Sequence, residues 1–426
     1  MADMKILMFG WEFPPFISGG LGTACFGLTQ GLLQKDAEVV FVVPRMIGSV
    51  KKSRVRLIDG AGIRINDGSD AGLLEHMRIK PIDSFLIPYM TEESYSKTLQ
   101  KTVESLKRDR KSEEKTSWQH YGPDLHSEVF RYARIARIVA NREDYDVIHV
   151  HDWMTIPAGI EARHVTGKPL VVHIHALETD RSTTRINERI YGIERFGMVD
   201  ADHVITVSHY TKRKIVQQYG IPHEKISVIH NAVSHSESRR RYHIKKDSAK
   251  KYVLFLGRIT SQKGPDYFLE AARKVLSKNR TVHFIMAGSG DMMRQVKEDV
   301  TRLEIDKNVI FTGFLRGADV ERAYAMSDLY VMPSVSEPFG ITALEAIMYD
   351  VPVIISNQSG VSEVIRNCPS VDFWNTDELA DNILNIIEDD MLRDEIVRSC
   401  RKELKDVSWK IAAEKIIRVY RELIVV

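Results

Sequence analysis

Cysteine is scarce in this chain: only Cys25, Cys368 and Cys400 occur among its 426 residues. They stand far apart, so they supply neither a metal-ligand spacing nor a disulfide framework, and a reducing compartment is the expectation. Long apolar runs are missing as well. No segment approaches roughly 18 uncharged apolar residues, so no membrane-spanning helix is expected. The opening stretch MADMKILMFGWEF has an apolar run too short for a secretory core, with Asp3 in front of it, which points to a cytoplasmic protein. A charge excess is also absent. The 60 Lys and Arg residues nearly balance 58 Asp and Glu, leaving a formal net charge of +2 and no nucleic-acid footprint. Short-period repeats and low-complexity tracts do not occur.

What is present is an ordinary globular composition, 43% hydrophobic and 28% charged, in a chain long enough for two domains with separate cores. Short apolar runs alternate with helical stretches. KILMFGW (5–11), EVVFVV (38–43), YDVIHV (145–150), PLVVHIH (169–175) and HVITV (203–207) read as strands. Unbroken apolar strands separated by helices imply a parallel sheet covered on both faces. Between Val43 and Gly122 the rhythm weakens. KKSRVRL and LKRDRKSEEK read there as a charged, solvated insertion. A polar, basic stretch at 231–251 reads as a linker, its Arg239, Arg240 and Arg241 solvated rather than nucleic-acid-binding. A second series follows: YVLFLG (252–257), VHFIMAG (282–288), NVIFTG (308–313), DLYVMPS (328–334) and VPVIIS (351–356). Two such halves would face each other across a cleft, and open sheets of this class bind ligands at the C-terminal ends of their strands. The amphipathic segment WKIAAEKIIRVYRELI (409–424) could pack on either half.

Three motifs sit where strands meet helices. SGGLGTA (18–24) makes a glycine turn and a helix start, an anion site by virtue of its free amides, or simply a tight turn. GRITSQKG (257–264) sets Arg258 and Lys263 across a turn, able to clamp a diphosphate, although two surface cations would look the same. SEPFGITALEA (336–346) puts Glu337 before a helix and Glu345 one turn inside it, with the amides of Gly340, Ile341 and Thr342 at its positive end. Such carboxylates accept hydrogen bonds from sugar hydroxyls. Glu345 is equally explained as a helix-start glutamate. His149, His151, His173 and His175 alternate along two strands. With no carboxylate or cysteine partner set in view, packing and hydrogen bonding rank above a metal cluster there.

Taken together, FISGGLGTA, GRITSQKG and EPFGITALE resemble the GT-B glycosyltransferases. Among these they resemble the retaining, group 1 branch with the bacterial and archaeal glycogen and starch synthases and the sucrose-phosphate-synthase-like enzymes. VIHVHDWMTIPAG and VVHIHALETDR look like the HDW and histidine segments of the synthases. The resemblance implies an α/β fold of GT-B type, two Rossmann-like domains facing across a cleft. Residues 1–235 would form the acceptor-side domain, 236–405 the nucleotide-sugar domain, and 406–426 would cross back to the first.

The implied activity is hexosyl transfer from a nucleotide sugar, UDP-glucose or ADP-glucose, to a hydroxyl of a glucan or another acceptor, with no cofactor and no metal. By resemblance, Arg258 and Lys263 neutralise the leaving diphosphate, Glu337 meets the donor sugar and Glu345 the ribose. His175 lies against the sugar, and Asp152 is on the acceptor side. Gly19, Gly20 and Leu21, with Phe339, Gly340, Ile341 and Thr342, hold phosphate and sugar, while Gly313, Phe314 and Leu315 contact the base. One departure is Ile17, where the bacterial ADP-glucose synthases carry a lysine. The alternatives are a UDP-sugar 2-epimerase-like isomerase, transfer to a small sugar or sugar phosphate, and a silent glycan-binding protein.

Overall fold

The computed structural model describes residues 4–13, 19–44, 55–59, 125–182, 185–233, 247 and 249–424. Ile17, Arg239, Arg240, Arg241 and most of the charged stretch between Val43 and Gly122 lie outside the described residues.

The apolar runs form two parallel sheets. The first contains β1 Lys5–Phe9, β2 Glu38–Val43, β3 Val55–Asp59, β4 Val147–His151, β5 Leu170–Ile174, β6 His203–Thr206 and β7 Ile226–Val228. Its order is β3-β2-β1-β4-β5-β6-β7. The second contains β8 Lys251–Leu256, β9 Val282–Ala287, β10 Val309–Gly313, β11 Leu329–Met332, β12 Val353–Ser356 and β13 Ser370–Val371, in the order β10-β9-β8-β11-β12-β13. The helices α1 Gly20–Leu33, α2 Leu125–Ala140, α3 Ile156–Thr166, α4 Glu178–Arg181, α5 Glu188–Asp200 and α6 His209–Lys214 accompany the first sheet. Helices α7 Pro265–Lys278, α8 Met293–Arg302, α9 Ala318–Met326, α10 Ile341–Met348, α11 Thr376–Glu388 and α12 Asp390–Glu403 accompany the second. The chain is an α/β protein with two Rossmann-like halves, a GT-B arrangement. Both faces of the first sheet are buried, with Ile6, Met8 and Phe41 in one cluster and Leu7, Phe9 and Val42 in the other.

In each sheet the strand order reverses once, between β1 and β4 and between β8 and β11. A crevice opens where neighbouring connections leave to opposite faces. The loops at these two points carry the glycine turn and Asp152 in the first half, and Arg258–Lys263 and Glu337 in the second.

One sequence reading is corrected. KKSRVRL is not wholly a solvated excursion, because its last three residues enter β3, paired in parallel with β2 from Val39↔Val55 to Val43↔Asp59. An edge strand has one neighbour only, and charge around it is how edges avoid further pairing, so it reads as surface.

The last helix, α13 Trp409–Ile424, lies on the first half. Its approach depends on glycines in α1. A Cβ at Gly27 would fall 2.1 Å from the Trp409 ring, and one at Gly31 would fall 2.2 Å from the Trp409 carbonyl oxygen. Farther along, Glu414 pairs with Lys35, and the Tyr420 hydroxyl meets His149 Nδ1. The two passes of chain between the halves run together, joined by a parallel bridge between Val233 and Ser408. Replacing Gly31 by alanine should therefore push α13 outward and cost about 1–3 kcal/mol of stability. Denaturant melts measure this. An unchanged midpoint would mean that the helix docks more loosely than its contacts imply.

Candidate active site

Strand β8 ends at Leu256, and the turn beyond it is held tightly. Arg258 Nη2 donates to Gln262 Oε1 at 2.8 Å. A 3-10 turn, Ser261–Lys263, leads to Gly264, whose φ is 65°. A Cβ at Gly264 would stand 2.1 Å from the Pro333 carbonyl oxygen, so glycine is required on both counts. This close approach brings the turn against the loop after β11. The Gln262 carbonyl accepts from Val335 N at 2.9 Å, and Gln262 Nε2 donates to the Ser336 carbonyl at 3.0 Å. Lys263 Nζ pairs with Glu337, which also accepts from Ser334 Oγ at 3.3 Å.

Beyond Glu337 the loop turns at Gly340, φ 108°, where a Cβ would press within 3.0 Å of Met332 Sδ. Helix α10 starts directly after, so the first-turn amides of Ile341 and Thr342 have no carbonyl within the helix to meet. Glu345 follows one turn in and accepts from Tyr324 Oη at 3.0 Å. Burial pushes its carboxyl up to about 7, against the opposing pull of the Tyr324 hydroxyl. Thr342 Oγ1 lies 2.7 Å from Tyr330 Oη. Lys263, Tyr330, Ser334, Glu337 and Thr342 line one small cavity.

The first half presents a matching edge. Asp152, at the end of β4, adopts φ 59°, an uncommon conformation for a residue with a Cβ. Its Oδ1 accepts from the amides of His175 at 2.6 Å and Ala176 at 3.3 Å, and Arg181 approaches its Oδ2 at 3.7 Å. Asp152 therefore fixes the backbone that carries His175. The His175 ring reaches back, with Nε2 2.9 Å from His151 Nδ1. Three residues later α4 begins, and it packs against the Ser261–Lys263 turn. Asp180 on α4 is fully buried, pairs with Lys214 and accepts from Ser336 Oγ at 2.7 Å. The His175 segment and the Glu337 loop thus meet through Asp180 and Ser336, which lie on opposite halves.

Comparison with known proteins agrees with this geometry. Residues 237–403 match the family Glycosyl transferases group 1, and residues 98–237 match Glycosyltransferase Family 4. An uncharacterized glycosyltransferase of Methanocaldococcus jannaschii is 28% identical over 442 aligned positions, covering 98% of each chain. A glycogen synthase of Mycobacterium tuberculosis is 23% identical, over 98% of this chain and 94% of its own length. Among solved structures, Anabaena HepE in complex with UDP and glucose superposes with a TM-score of 0.67 at 17% identity, over 99% of this chain and all of that one. This chain is a glycosyltransferase, its second half similar to the group 1 family.

Several features of this glycosyltransferase were not visible in its sequence. Glu12 is buried and accepts from Gly22 N at 3.0 Å, so one α1 first-turn donor expected for a substrate anion already faces an internal carboxylate. Gly19 is extended, and Gly20 and Leu21 open α1, with Gly20 exposed. Gly313, φ 72°, closes β10, and its carbonyl accepts from Gly288 N at 2.8 Å. Phe314 is half-exposed beneath the Arg316 guanidinium, 5.1 Å from its ring centre, and Leu315 packs against the core. Phe339 is buried, and its carbonyl accepts from Val361 N at 2.7 Å, a support for the loop rather than an exposed wall. Tyr324 lies outside every motif, and Asp180 and Ser336 lie inside VVHIHALETDR and SEPFGITALEA with nothing in either pattern to single them out. Asp180 and Ser336 are 156 positions apart, and only the fold joins them.

Among the described residues no helix is long and apolar enough to cross a membrane.

Proposed function

We propose that this glycosyltransferase moves a glucosyl group from a nucleoside diphosphate donor, UDP-glucose or ADP-glucose, to an acceptor hydroxyl with retention of configuration. An α-glucan is the acceptor class put forward. The observation that carries the reading is the convergence of Lys263, Glu337 and Thr342 on one cavity at the β8–β11 crevice, with Glu345 one turn into the helix that starts there. The glucosyl donor and glucan acceptor draw support from the printed names of the glycogen synthase and of HepE with UDP and glucose.

In this reading Arg258 and Lys263 neutralise the diphosphate as it leaves, so the diphosphate needs no bound metal and the reaction no cofactor. Glu337 accepts from sugar hydroxyls and Glu345 from the ribose. The acceptor hydroxyl enters on the face from which the diphosphate departs, and the departing oxygen takes its proton. Approach of the two halves excludes water from the donor. The test is a panel of nucleotide sugars with and without glucan, followed by linkage analysis of the product. Nucleotide release that depends on the acceptor is expected. A new sugar nucleotide formed without acceptor would overturn transfer in favour of isomerisation.

A pH dependence follows from Glu345. Its free carboxyl titrates at about 7, and only the carboxylate accepts two ribose hydroxyls. The bound state therefore favours the deprotonated form. Affinity for a nucleoside diphosphate should rise with pH, by about tenfold per unit below 7, and level off above it. Calorimetry from acid to mildly alkaline pH measures this in wild type and Glu345→Gln. The phosphate's own titration is common to both, so an identical slope in the two proteins would remove Glu345 from the ribose.

A further inference from the structure

Strands β4 and β5 pair with His151 opposite His173. Side chains two apart on a strand share a face, so His149, His151, His173 and His175 collect on one side of the first sheet. That side faces α1 and the returning α13. The imidazoles stack in pairs, His149 on His151 at 4.6 Å and His173 on His175 at 4.2 Å between ring centres. His149, His151 and His173 are 0%, 0% and 3% exposed. Buried polar atoms are normally partnered. Among the described residues His151 Nε2 and His173 Nε2 have no partner, while one ring nitrogen from each of His149, His151 and His173 lies within 4.8 Å of the others.

We propose that His149, His151 and His173 form a binding site for a divalent transition metal ion of the zinc class, set behind the donor cleft. The ligand set is all imidazole, which suits zinc, nickel, cobalt or copper and not magnesium or calcium. His149 Nε2 and His173 Nδ1 stand 3.2 Å apart. Two nitrogens at zinc bond lengths across a tetrahedral angle stand about 3.3 Å apart, so little movement is needed to admit the ion. His149 also has the outer partner that ligating histidines use. Its Nδ1 meets the Tyr420 hydroxyl, which holds the ring so that Nε2 faces the cluster. Burial keeps all three rings neutral, the form that ligates, with the His149 value lowered to about 3.

The sequence alone ranked packing above a metal here because it offered no carboxylate or cysteine partner set. The fold changes that ranking by bringing one ring nitrogen from each of three buried histidines within 4.8 Å of the others, with His151 Nε2 lacking a partner among the described residues. An ion at this point would tie β4 and β5 to each other and, through Tyr420, to α13. It is separate from the donor diphosphate site and does not depend on the identity of the sugar.

A second triad, Cys25 with His151 and His175, shares one ligand with the first and must be told apart from it. The experiment uses the full chain stripped with a chelator and titrated with zinc and with cobalt. One equivalent of cobalt should give the visible absorption of a low-coordinate site with three imidazole ligands, without the strong sulfur-to-metal band of a thiolate. Zinc should raise the melting temperature by a few degrees. His173→Gln and His149→Gln should each weaken zinc binding at least about 100-fold, as loss of one of three ligands requires, while Cys25→Ser should bind as wild type does. Circular dichroism of the metal-free variants shows whether they fold, and the wild-type cobalt spectrum stands even if they do not. Absence of a one-equivalent cobalt signal in the wild-type chain overturns the proposal. A thiolate band lost in Cys25→Ser overturns it in favour of the second triad.

Discussion

Lys263→Ala should lose turnover by about 100- to 1,000-fold, and Arg258→Ala should fall in the same range. On the proposed reading each removes a cation from the leaving diphosphate, where a single charge-assisted contact is worth about 2.7–4 kcal/mol in the transition state. Lys263→Ala should also lose stability. Lys263 pairs with Glu337, whose residue is 7% exposed, so Lys263→Ala strands a carboxylate in a nearly closed cavity. That should cost about 1–3 kcal/mol of folding free energy. Arg258 Nη2 donates to the Gln262 amide oxygen at 2.8 Å. Combining Lys263→Ala with Glu337→Gln should recover most of the lost stability and none of the turnover. Initial rates on donor and acceptor, beside denaturant melts, separate the two effects. Wild-type rates in both single variants would remove the cations from the chemistry.

The second large effect divides the two glutamates. On the proposed roles, Glu345→Ala should weaken free nucleoside diphosphate and the full donor alike, because the ribose it would hold is present in both. Glu337→Ala should leave nucleoside diphosphate affinity nearly intact and act on donor turnover, because its partner hydroxyls belong to the transferred sugar. A site built to accept hydroxyl hydrogen bonds discriminates strongly against analogues that lack them. A donor deoxygenated where it faces Glu337 should thus be a poor substrate for the wild type and suffer a smaller penalty in Glu337→Ala. Calorimetry with nucleoside diphosphate and rates on the deoxy donor measure both halves. Equal loss of nucleoside diphosphate affinity in the two variants would make Glu337 a support of its loop, a role its pairing with Lys263 and Ser334 would also serve.

The buried strands were the most legible part of this fold. Leu7, Val42, Ile148, Val172 and Val204 stand in unbroken apolar runs because both faces of their sheet are covered. Of the four edges only β10, read from NVIFTG, was legible. β3 sits among charges, β7 spans only Ile226–Val228 and β13 only Ser370–Val371, too short for a period to show. In the candidate site the legible residues were those whose backbone is constrained. Gly264 and Gly340 announce left-handed turns, and the charged residues nearest them, Lys263 and Glu337, prove to be partners. The remainder depends on approach between distant segments. Tyr324 reaches Glu345 across 21 positions, and Asp180 reaches Ser336 across 156, contacts to which no local pattern points. The Gly22 amide looked free for a substrate in sequence and is met in the fold by Glu12, a residue outside every motif.

The bridge between Val233 and Ser408 has a mechanical consequence. The polypeptide passes between the halves twice, outward after Val233 and back before Trp409, and the two passes lie side by side at this bridge. A body tethered through one flexible strand can swivel about any axis. One tethered through two adjacent strands swings about the line joining them, and its freedom to twist is largely removed. Opening and shutting of the cleft should therefore follow a single arc, like a book on its spine. The contacts between the halves ride on that arc, among them Ser336 donating to Asp180 and Ser208 donating to the Pro338 carbonyl at 2.6 Å. A chain cut before α13 would lose the second tether as well as a helix, and its halves would have no fixed arc along which to find each other again.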